Sequence, residues 1–313
     1  MISIVIVNWN GKQYIGDCLR SIQKNVSQPY EVIIVDNNST DGSADLIAES
    51  FPWVKLIRST ENLGFGRGNN LAAKHANGDT FLLLNLDTVL LADPSPIAHA
   101  LVEDDTIGCI GAKMCNAAGT VVTNAGHFPS ALRLVLFISM FWKPYKGRGG
   151  PARLNAERVD WVEGSWVLMR RQVWDKVGGF DDRIFMYVED VDICKRIADV
   201  GLMVIQVPTV AYCHYGGLSV HRLPYLFAGF RFYIRKHSSG LERVLAEGML
   251  FFGLKARLLC YGAVGLLSQS EQIKEKASLL RKIDRSWNRP VEHAVGNQTR
   301  SNEPALNNRR AGE

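Results

Sequence analysis

The segment Phe81-Leu-Leu-Leu-Asn-Leu-Asp87 decides the fold of this chain. Its four leading apolar residues do not alternate with polar ones, which is typical of a parallel strand covered on both faces. Ligands of open α/β sheets bind beyond the carboxyl ends of the strands, where the Asp87 carboxylate can hold a divalent cation against a phosphorylated substrate. Taken alone, Asp87 would more often be a cap of the segment that follows. The surrounding motifs favour the metal site.

Three strand-and-helix units precede this segment. Apolar, β-branched runs predict strands over 2–7, 31–35 and 54–57. Helical spacing predicts helices over 16–25, 44–50 and 71–76. Units of this kind joined by short connections predict an α/β fold, with a Rossmann-like, mostly parallel sheet and helices on both faces.

The pattern is less regular after Asp87. It predicts strands over 107–112, 121–123, 160–170, 202–207 and 210–214, and helices over 94–103 and 171–177 and from Glu189 onward. Helices over 226–237, 241–267 and 269–284 follow. We therefore expect a catalytic domain over 1–237, a C-terminal helical appendage over 238–286 and a disordered tail over 287–313.

The composition of the 313 residues limits the classes of partner and compartment. A net charge of +5 suits an anionic substrate or membrane surface and is weak evidence for nucleic acid, which we do not expect as a partner. Six scattered cysteines without a Cys-x-x-Cys pair indicate a reducing, cytoplasmic setting. The chain starts directly with a strand and has no long charge-free apolar run, so neither a signal peptide nor a spanning helix is expected.

Two apolar segments leave alternatives open. The segment 134–142 is either a buried core element or a lid or membrane-contacting edge. Between Arg222 and Arg257 there are seven lysines and arginines against two glutamates, a bias that suits a helix lying on an anionic bilayer. The alternatives for this second segment are a helix packed on the catalytic domain or a homodimer contact.

Polar clusters at the ends of predicted elements are candidates for chemistry. The stretch 64–68 reads Gly-Phe-Gly-Arg-Gly and predicts either a loop that lets a phosphate approach backbone amides at a helix N-terminus beside Arg67, or a tight turn with a solvated arginine. Glu189, Asp190 and Asp192 crowd the first turn of a helix, where one carboxylate facing a cleft could act as a general base. Complementing the helix dipole is the alternative. His214 ends an apolar run and is either a satisfied structural histidine or, because two glycines follow closely, a ligand.

Six motifs together carry a family resemblance. They are Ile4-Val-Ile-Val-Asn-Trp-Asn10, Val35-Asp-Asn-Asn-Ser-Thr-Asp-Gly-Ser43, Asn62-Leu-Gly-Phe-Gly-Arg-Gly-Asn-Asn70, Asn85-Leu-Asp87, Gly164-Ser165 and Glu189-Asp-Val-Asp192. In order and spacing they resemble the family-2 inverting glycosyltransferases of the GT-A fold over about residues 1–237. The form of the third motif and the ending from His214 to Ser219 resemble the rhamnosyltransferase branch.

The resemblance implies roles for residues on the donor side. In such enzymes the end of the first strand, here Val7 and Asn8, contacts the nucleotide base and ribose. Asp36 is implied to hydrogen-bond the pyrimidine ring, and Arg67 matches a basic residue near the nucleotide. The remaining donor-binding positions implied are Asn10, Asn38, Gly66, Asn70 and Asn85.

The resemblance also implies the metal, the base and the acceptor side. Asp87 is implied to bind Mg²⁺ or Mn²⁺ that bridges the diphosphate, with His214 as a further contact. Asp190 matches the catalytic base of the family. The acceptor-side positions implied are Gly164, Ser165, Trp166 and Glu189. Asn85 stands where the family often has an acid, so the site is expected to hold metal more weakly.

The expected function is metal-dependent, inverting glycosyl transfer in cell-surface polysaccharide synthesis. The leading donor is dTDP-rhamnose and the acceptor a glycan or lipid-linked glycan at the inner face of the cell membrane. A hexosyltransferase that uses a UDP-sugar and a non-catalytic nucleotide-sugar binding protein are the alternatives. A nicotinamide oxidoreductase is weaker, because the glycine spacing fails.

Overall fold

The computed structural model describes residues 1–131, 133–134, 148–216, 222–267 and 270–287. Of the apolar segment 134–142, only Leu134 belongs to these residues, and it is buried. The expected tail lies outside them from residue 288 onward.

The first half of the chain forms four parallel strands in the order β3-β2-β1-β4. The strands are β1 (Ile2–Asn8), β2 (Tyr30–Asp36), β3 (Lys55–Arg58) and β4 (Thr80–Leu84). The helices between them are α1 (Lys12–Asn25), α2 (Ser43–Ser50) and α3 (Gly64–Lys74). The predicted strand-and-helix units are confirmed.

The second half extends the sheet and adds helices. Its strands are β5 (Thr88–Leu90), β6 (Ile107–Asn116), β7 (Val121–Val122), β8 (Ala125–Gly126), β9 (Arg148–Gly149), β10 (Glu157–Val159), β11 (Trp161–Val162), β12 (Trp166–Arg170) and β13 (Met203–His214). Its helices are α4 (Ser95–Val102), α5 (Arg171–Val177), α6 (Glu189–Asp199), α7 (Leu223–His237), α8 (Gly240–Leu267) and α9 (Glu271–Ser286), with a 3-10 turn at Ala152–Leu154.

The sheet continues from β4 through β12, β6, β13 and β10 to β9. Strand β12 runs antiparallel to both of its neighbours, whereas β6 and β13 are parallel to each other. Separately, β5 pairs antiparallel with β13, and β7 with β6. The sheet is thus mixed around a parallel N-terminal half, which confirms the predicted fold class.

Hydrophobic clusters cover both faces of the sheet. Along β4, Phe81 and Leu83 join one cluster, while Leu82 and Leu84 join the other, and all four are fully or almost fully buried. Burial on both faces explains why this strand shows no polar alternation.

Helix α3 begins at Gly64, seven residues before the predicted start, so the expected glycine loop 64–68 is wrong. The glycines lie where the helix approaches neighbouring backbone and side chains. A Cβ on Gly66 would lie 3.1 Å from the Phe180 Cβ, and one on Gly68 would lie 2.9 Å from a Val7 methyl group. Close packing, which a single sequence does not reveal, therefore accounts for these glycines.

Two other predicted boundaries moved for tertiary reasons. Helix α1 begins at Lys12 rather than residue 16, because the Lys12 backbone N–H finds a partner on another loop, the Asp41 carboxylate at 2.9 Å. The two predicted strands 202–207 and 210–214 are one strand, β13, with irregular register near Val207 and Val210.

The C-terminal helices α7, α8 and α9 pack on one another around Leu134, Leu250, Leu254 and Leu280. Trp287, assigned to the tail, instead contacts the Phe251 ring at 5.2 Å between centroids. None of the helices in the described ranges combines the length and apolar character that crossing a bilayer requires.

Candidate functional site

Asp87 lies in the turn between β4 and β5. Because a strand and not a helix follows, the capping alternative is wrong. The pairing of β13 with β5 places His214 opposite Thr88, next to Asp87. The His214 Nε2 atom lies 3.1 Å from Asp87 Oδ1, and the Tyr215 backbone N–H donates to the Asp87 carbonyl at 2.8 Å. Sheet pairing thus builds the predicted Asp87–His214 contact.

Glu163 is a further carboxylate that the sequence analysis missed. Its Oε1 atom lies 3.5 Å from His214 Nδ1, so the imidazole sits between two acids. Burial alone would lower the pKa of His214, but hydrogen bonds to Asp87 and Glu163 outweigh it and raise the pKa to about 10. The position immediately before Gly164-Ser165 was the only available signal for Glu163.

Asp190 lies beside Gly164 at the start of α6. Its Oδ2 atom accepts from the Gly164 backbone N–H at 3.2 Å, and its Oδ1 atom accepts from its neighbour Val191 at 2.8 Å. Burial raises the pKa of Asp190 to about 6, and the charge on Glu163 adds to the increase. A carboxylate of raised basicity that is still ionised at neutral pH suits a general base.

Glu189 is buried beside Asp190. Burial and the Asp190 charge raise its pKa well above the ordinary value, and Oε2 finds no hydrogen-bond partner among the described residues. We call Asp87, Glu163, Glu189 and Asp190 the acidic cluster. Asp87 and Asp190 are joined within it through His214, Glu163 and the Gly164 backbone, so they lie in one region.

The backbone is strained immediately before this acid pair. Tyr187 and Val188 have φ values of +67° and +74°, in the left-handed region that glycine favours. Such non-glycine conformations cost about 1–3 kcal/mol each and persist where surrounding structure imposes them. Gly229 of α7 packs directly on this turn, since a Cβ there would lie 2.6 Å from the Tyr187 carbonyl oxygen.

Asp192 points away from the cleft into a buried ion cluster with α7. It is fully buried and accepts from Arg196 at 2.9 Å, from Lys236 at 2.7 Å and from His237 at 2.8 Å. Burial disfavours the ionised form of Asp192, but these partners hold its pKa below the ordinary value. Its role is to fix α6 against α7.

The predicted donor side is built from polar side chains that satisfy one another. Asn8 is fully buried and donates to Asp36 at 2.6 Å, to Ser43 at 2.8 Å and to Ser39 at 3.2 Å. The other Asp36 oxygen accepts from the Ser39 backbone N–H at 3.0 Å. We call Asn8, Asp36, Ser39 and Ser43 the loop network. It holds the loops after β1 and β2 together.

The other predicted donor residues lie in different surroundings. Asn10 and Asn38 adopt positive φ in these loops, and the Asn10 side chain accepts from Thr40 at 2.8 Å. Val7 is half-buried against Gly68. Arg67 is exposed and pairs with Glu61 at 3.0 Å.

Two predicted donor residues make packing contacts, and their donor-binding roles stay predictions. Gly66 lies in the first turn of α3 and faces Phe180, as described above. The Asn70 amide bonds to the Phe180 backbone at 2.8 and 2.9 Å and to Asp182 at 2.7 Å. Asn70 also lines a cavity of about 670 Å³ with Arg171 and Trp174.

The predicted acceptor residues Ser165 and Trp166 are buried. Ser165 Oγ bonds to the Tyr212 hydroxyl at 2.7 Å, and the Trp166 ring stacks on Tyr212. These side chains therefore pack in the core beside Tyr212, and their assignment to the acceptor side stays a prediction. Gly164 lies at the Asp190 carboxylate, and the Asn85 backbone N–H bonds to the Ser165 carbonyl at 3.1 Å.

The described residues supply only some of the ligands that a divalent cation needs. Asp87 and His214 supply one carboxylate and one imidazole, and Gly216 packs closely on the Asp87 carboxylate. Among the described residues, no group of three or more His, Cys, Asp or Glu side chains is arranged to hold a metal by itself. Mg²⁺ and Mn²⁺ commonly take their remaining ligands from substrate phosphates and water, so the donor set is compatible with either ion.

Comparisons with known proteins agree with this architecture. Residues 3–175 match the family model described as glycosyl transferase family 2. The chain is 29% identical, over 242 residues, to a Mycobacterium tuberculosis protein named N-acetylglucosaminyl-diphospho-decaprenol L-rhamnosyltransferase, covering 72% of this chain and 79% of that protein. It is 26% identical, over 227 residues, to rhamnosyltransferase WbbL of Escherichia coli, covering 69% and 83% respectively.

A solved structure shows the same fold. The mannosyltransferase PcManGT from Pyrobaculum calidifontis, in complex with GDP-Man and Mn²⁺, superposes with a TM-score of 0.55 at 20% identity, covering 94% of this chain and 82% of that one. At this identity the likeness concerns the fold alone.

Proposed function

The chain belongs to glycosyl transferase family 2, and we propose that it moves rhamnose from dTDP-rhamnose to a hydroxyl group of a lipid-linked glycan in cell-surface polysaccharide synthesis. The printed names of the M. tuberculosis and E. coli relatives support rhamnose as the sugar, and the first supports a lipid diphosphate acceptor. The observation that carries the proposal is the contact path from Asp87 through His214, Glu163 and Gly164 to Asp190.

Asp190 is the general base of the proposed reaction. The acceptor hydroxyl is a poor nucleophile, so its proton must pass to a carboxylate as the oxygen attacks the anomeric carbon. The new C–O bond forms on the face opposite the nucleoside diphosphate, which leaves with the electrons of the broken bond. One displacement inverts the anomeric configuration, and no covalent enzyme intermediate is needed.

Asp87 and His214 would hold the divalent cation, Mg²⁺ or Mn²⁺. When bound there, the cation would stabilise the negative charge that develops on the departing diphosphate. His214 must be neutral to act as a ligand, so cation binding releases its proton. Glu163 faces the other ring nitrogen and would keep the imidazole oriented, as carboxylates do for metal-bound histidines.

The proposed metal role is tested by Asp87→Ala. We expect kcat/KM to fall by about a hundredfold, and the Mn²⁺ concentration for half-maximal activity to rise about tenfold or more, because the carboxylate ligand is lost. The matched control is Asp17→Ala, an exposed aspartate paired with Arg20. An unchanged metal dependence in Asp87→Ala would remove this residue from the metal site.

The donor is tested by a screen. The protein is incubated with dTDP-rhamnose, UDP-glucose, UDP-galactose or GDP-mannose and a detergent-solubilised pool of lipid-linked acceptors, and the product mass is measured. We expect the mass of one deoxyhexose to be added from dTDP-rhamnose. Addition of a hexose would favour the second candidate, a UDP-dependent hexosyltransferase. That candidate is supported by 24% identity to the hexosyltransferase Agl10 of Haloferax volcanii. Donor binding without any product would indicate a non-catalytic binding protein.

We also propose that residues 1–237 form the catalytic unit and that 238–286 are a helical appendage. The ion cluster at Asp192 supports the first boundary, because it ties α6 to the last residues of α7.

A further inference from the structure

Helix α8 exposes an apolar stripe along most of its length. Leu241, Leu245, Phe252 and Leu259 are 72%, 45%, 63% and 75% exposed. Their spacings of four, seven and seven residues place them on one side of a helix. With a rise of about 1.5 Å per residue, the stripe is about 27 Å long.

The opposite side of α8 already has its packing partners. Ala246, Leu250 and Leu254 are buried against α7 and α9 in the C-terminal hydrophobic cluster. We call residues 222–287, which contain α7, α8 and α9, the helical unit. The stripe is therefore a second apolar face of α8, in addition to the face that packs inside this unit. An exposed apolar surface of this extent marks an interaction site.

Positive charge is concentrated in the helical unit that carries the stripe. Residues 222–287 contain twelve lysines and arginines against five acidic residues, an excess of seven, although the whole chain carries only +5. On α9, Lys274, Arg281 and Arg285 are exposed, and their spacings of seven and four place them on one side. Lys255, near the edge of the stripe, pairs with Asp284 of α9 at 2.7 Å, so α9 lies beside α8.

We propose that the stripe on α8 docks on an anionic lipid bilayer, with the helix lying in the interface and the exposed cations of α9 facing lipid headgroups. An apolar face combined with excess lysine and arginine is the composition that binds such interfaces. A second copy of the chain fits less well, because a symmetric contact would bring two strongly positive units together. The docking rests on the proposed function in one respect. A lipid-linked acceptor would lie in the same bilayer, so docking would bring the enzyme to its acceptor.

The docking is tested with the full chain and vesicles. Vesicles of phosphatidylcholine alone are compared with vesicles containing about one third phosphatidylglycerol, by flotation at low and high salt. We expect binding to the anionic vesicles, weakened about tenfold or more by high salt because the Debye length shortens. Cys260 is exposed on α8 whereas the other five cysteines are buried, so an environment-sensitive dye attached to Cys260 should shift to the blue on binding.

Two pairs of charge-matched variants identify the surface. Leu245→Glu combined with Leu259→Glu should reduce the vesicle partition coefficient by about a hundredfold, because two leucines lose their apolar contact. Leu91→Glu combined with Val102→Glu adds the same charge at two exposed apolar positions outside this unit and should leave binding unchanged. Phe252→Ser is a milder third variant, should the double glutamate variant fail to fold as judged by its melting temperature.

Each result decides the inference. Absence of binding to anionic vesicles, or equal loss in both glutamate pairs, would overturn it. Dimerisation in sedimentation that Leu245→Glu with Leu259→Glu abolishes, without vesicle binding, would assign the face to a second copy instead. Donor binding in solution, measured by calorimetry without vesicles, reports on the proposed function separately. Vesicle binding can therefore fail while the transferase assignment stands, and the reverse.

Discussion

At the ends of β1 and β2 the polar side chains bond to one another, whereas around His214, at the end of β13, the carboxylates of the acidic cluster crowd together. In the loop network, Asn8 donates to three partners and Asp36 accepts at both oxygens. In the acidic cluster, Asp190 and Glu189 have raised pKa values, and Glu189 Oε2 lacks a partner among the described residues.

This difference separates residues that shape the cleft from residues available for chemistry. A satisfied buried network stabilises one loop conformation and leaves little capacity for a substrate. Crowded carboxylates next to strained backbone cost stability, and perturbed groups of this kind are concentrated at functional sites. We therefore expect substitutions in the two regions to differ in the property that they change.

The largest effect should come from the base. Asp190→Asn keeps the shape of the side chain but removes its basicity, so we expect kcat to fall by about a thousandfold. Donor affinity, measured by calorimetry, should remain within about twofold of the parent protein. If nucleotide binding were lost together with activity, the role assigned to Asp190 would be contradicted.

A stability effect should come from the loop network. Asn8→Ala leaves the buried Asp36 carboxylate and the Ser43 hydroxyl short of a donor, so we expect a loss of about 2 kcal/mol in the free energy of unfolding. This is about thirtyfold in the folding equilibrium. Urea unfolding measures it, with Thr40→Ala, at an exposed loop position, as the control. A thousandfold loss of kcat with unchanged stability would break the contrast between the two regions.

A smaller effect should come from the support of the strained turn. Gly229→Ala places a methyl group within 2.6 Å of the Tyr187 carbonyl oxygen, so the turn before Glu189 and Asp190 must shift. We expect kcat to fall about tenfold, because a misplaced base loses its alignment. Donor KM should stay constant.

Gly248→Ala is the matched control for Gly229→Ala. It is also a helical glycine, but an added Cβ there meets open space. The change should therefore be neutral or slightly stabilising, since alanine favours helix more than glycine does. Equal loss of activity in the two variants would show that the turn is not held by Gly229.

The smallest effect should be a shift of the pH profile. The pKa of Asp190 is raised to about 6, so the base becomes protonated and kcat should decline as the pH falls through about 6. Glu163→Gln removes one neighbouring negative charge and should move this decline to lower pH. A pH series of kcat under saturating donor measures the shift, and a decline that moves to higher pH would contradict the assigned interaction.

Local patterns in the sequence were sufficient for the parallel half of the sheet. Burial of Phe81 to Leu84 on both faces leaves a continuous apolar run, and a run of this kind is visible without any tertiary information. The same holds for α5, predicted over 171–177 and found at Arg171–Val177. The family resemblance, and not a local pattern, implied that Asp87 and His214 belong to one site, and the structure places the two side chains in contact.

The errors occurred where distant segments determine the local structure. The glycines of α3 are explained by Phe180, Phe185 and Val7, which approach from other elements. The burial of Trp166 against Tyr212 of β13 is likewise a contact between distant segments that the sequence does not show. Glu163 was missed because its significance comes from His214, fifty-one positions further along the chain.

The buried ion cluster at Asp192 sets a limit on truncation. The partners of this carboxylate include Lys236 and His237, whereas the family match ends at residue 175. A shortened polypeptide that includes α6 but stops before Lys236 would bury an aspartate that keeps Arg196 but has lost two of its three hydrogen-bonding partners, which destabilises the fragment. A fragment that keeps this cluster intact therefore extends at least through residue 237, well past the segment that matches the family model.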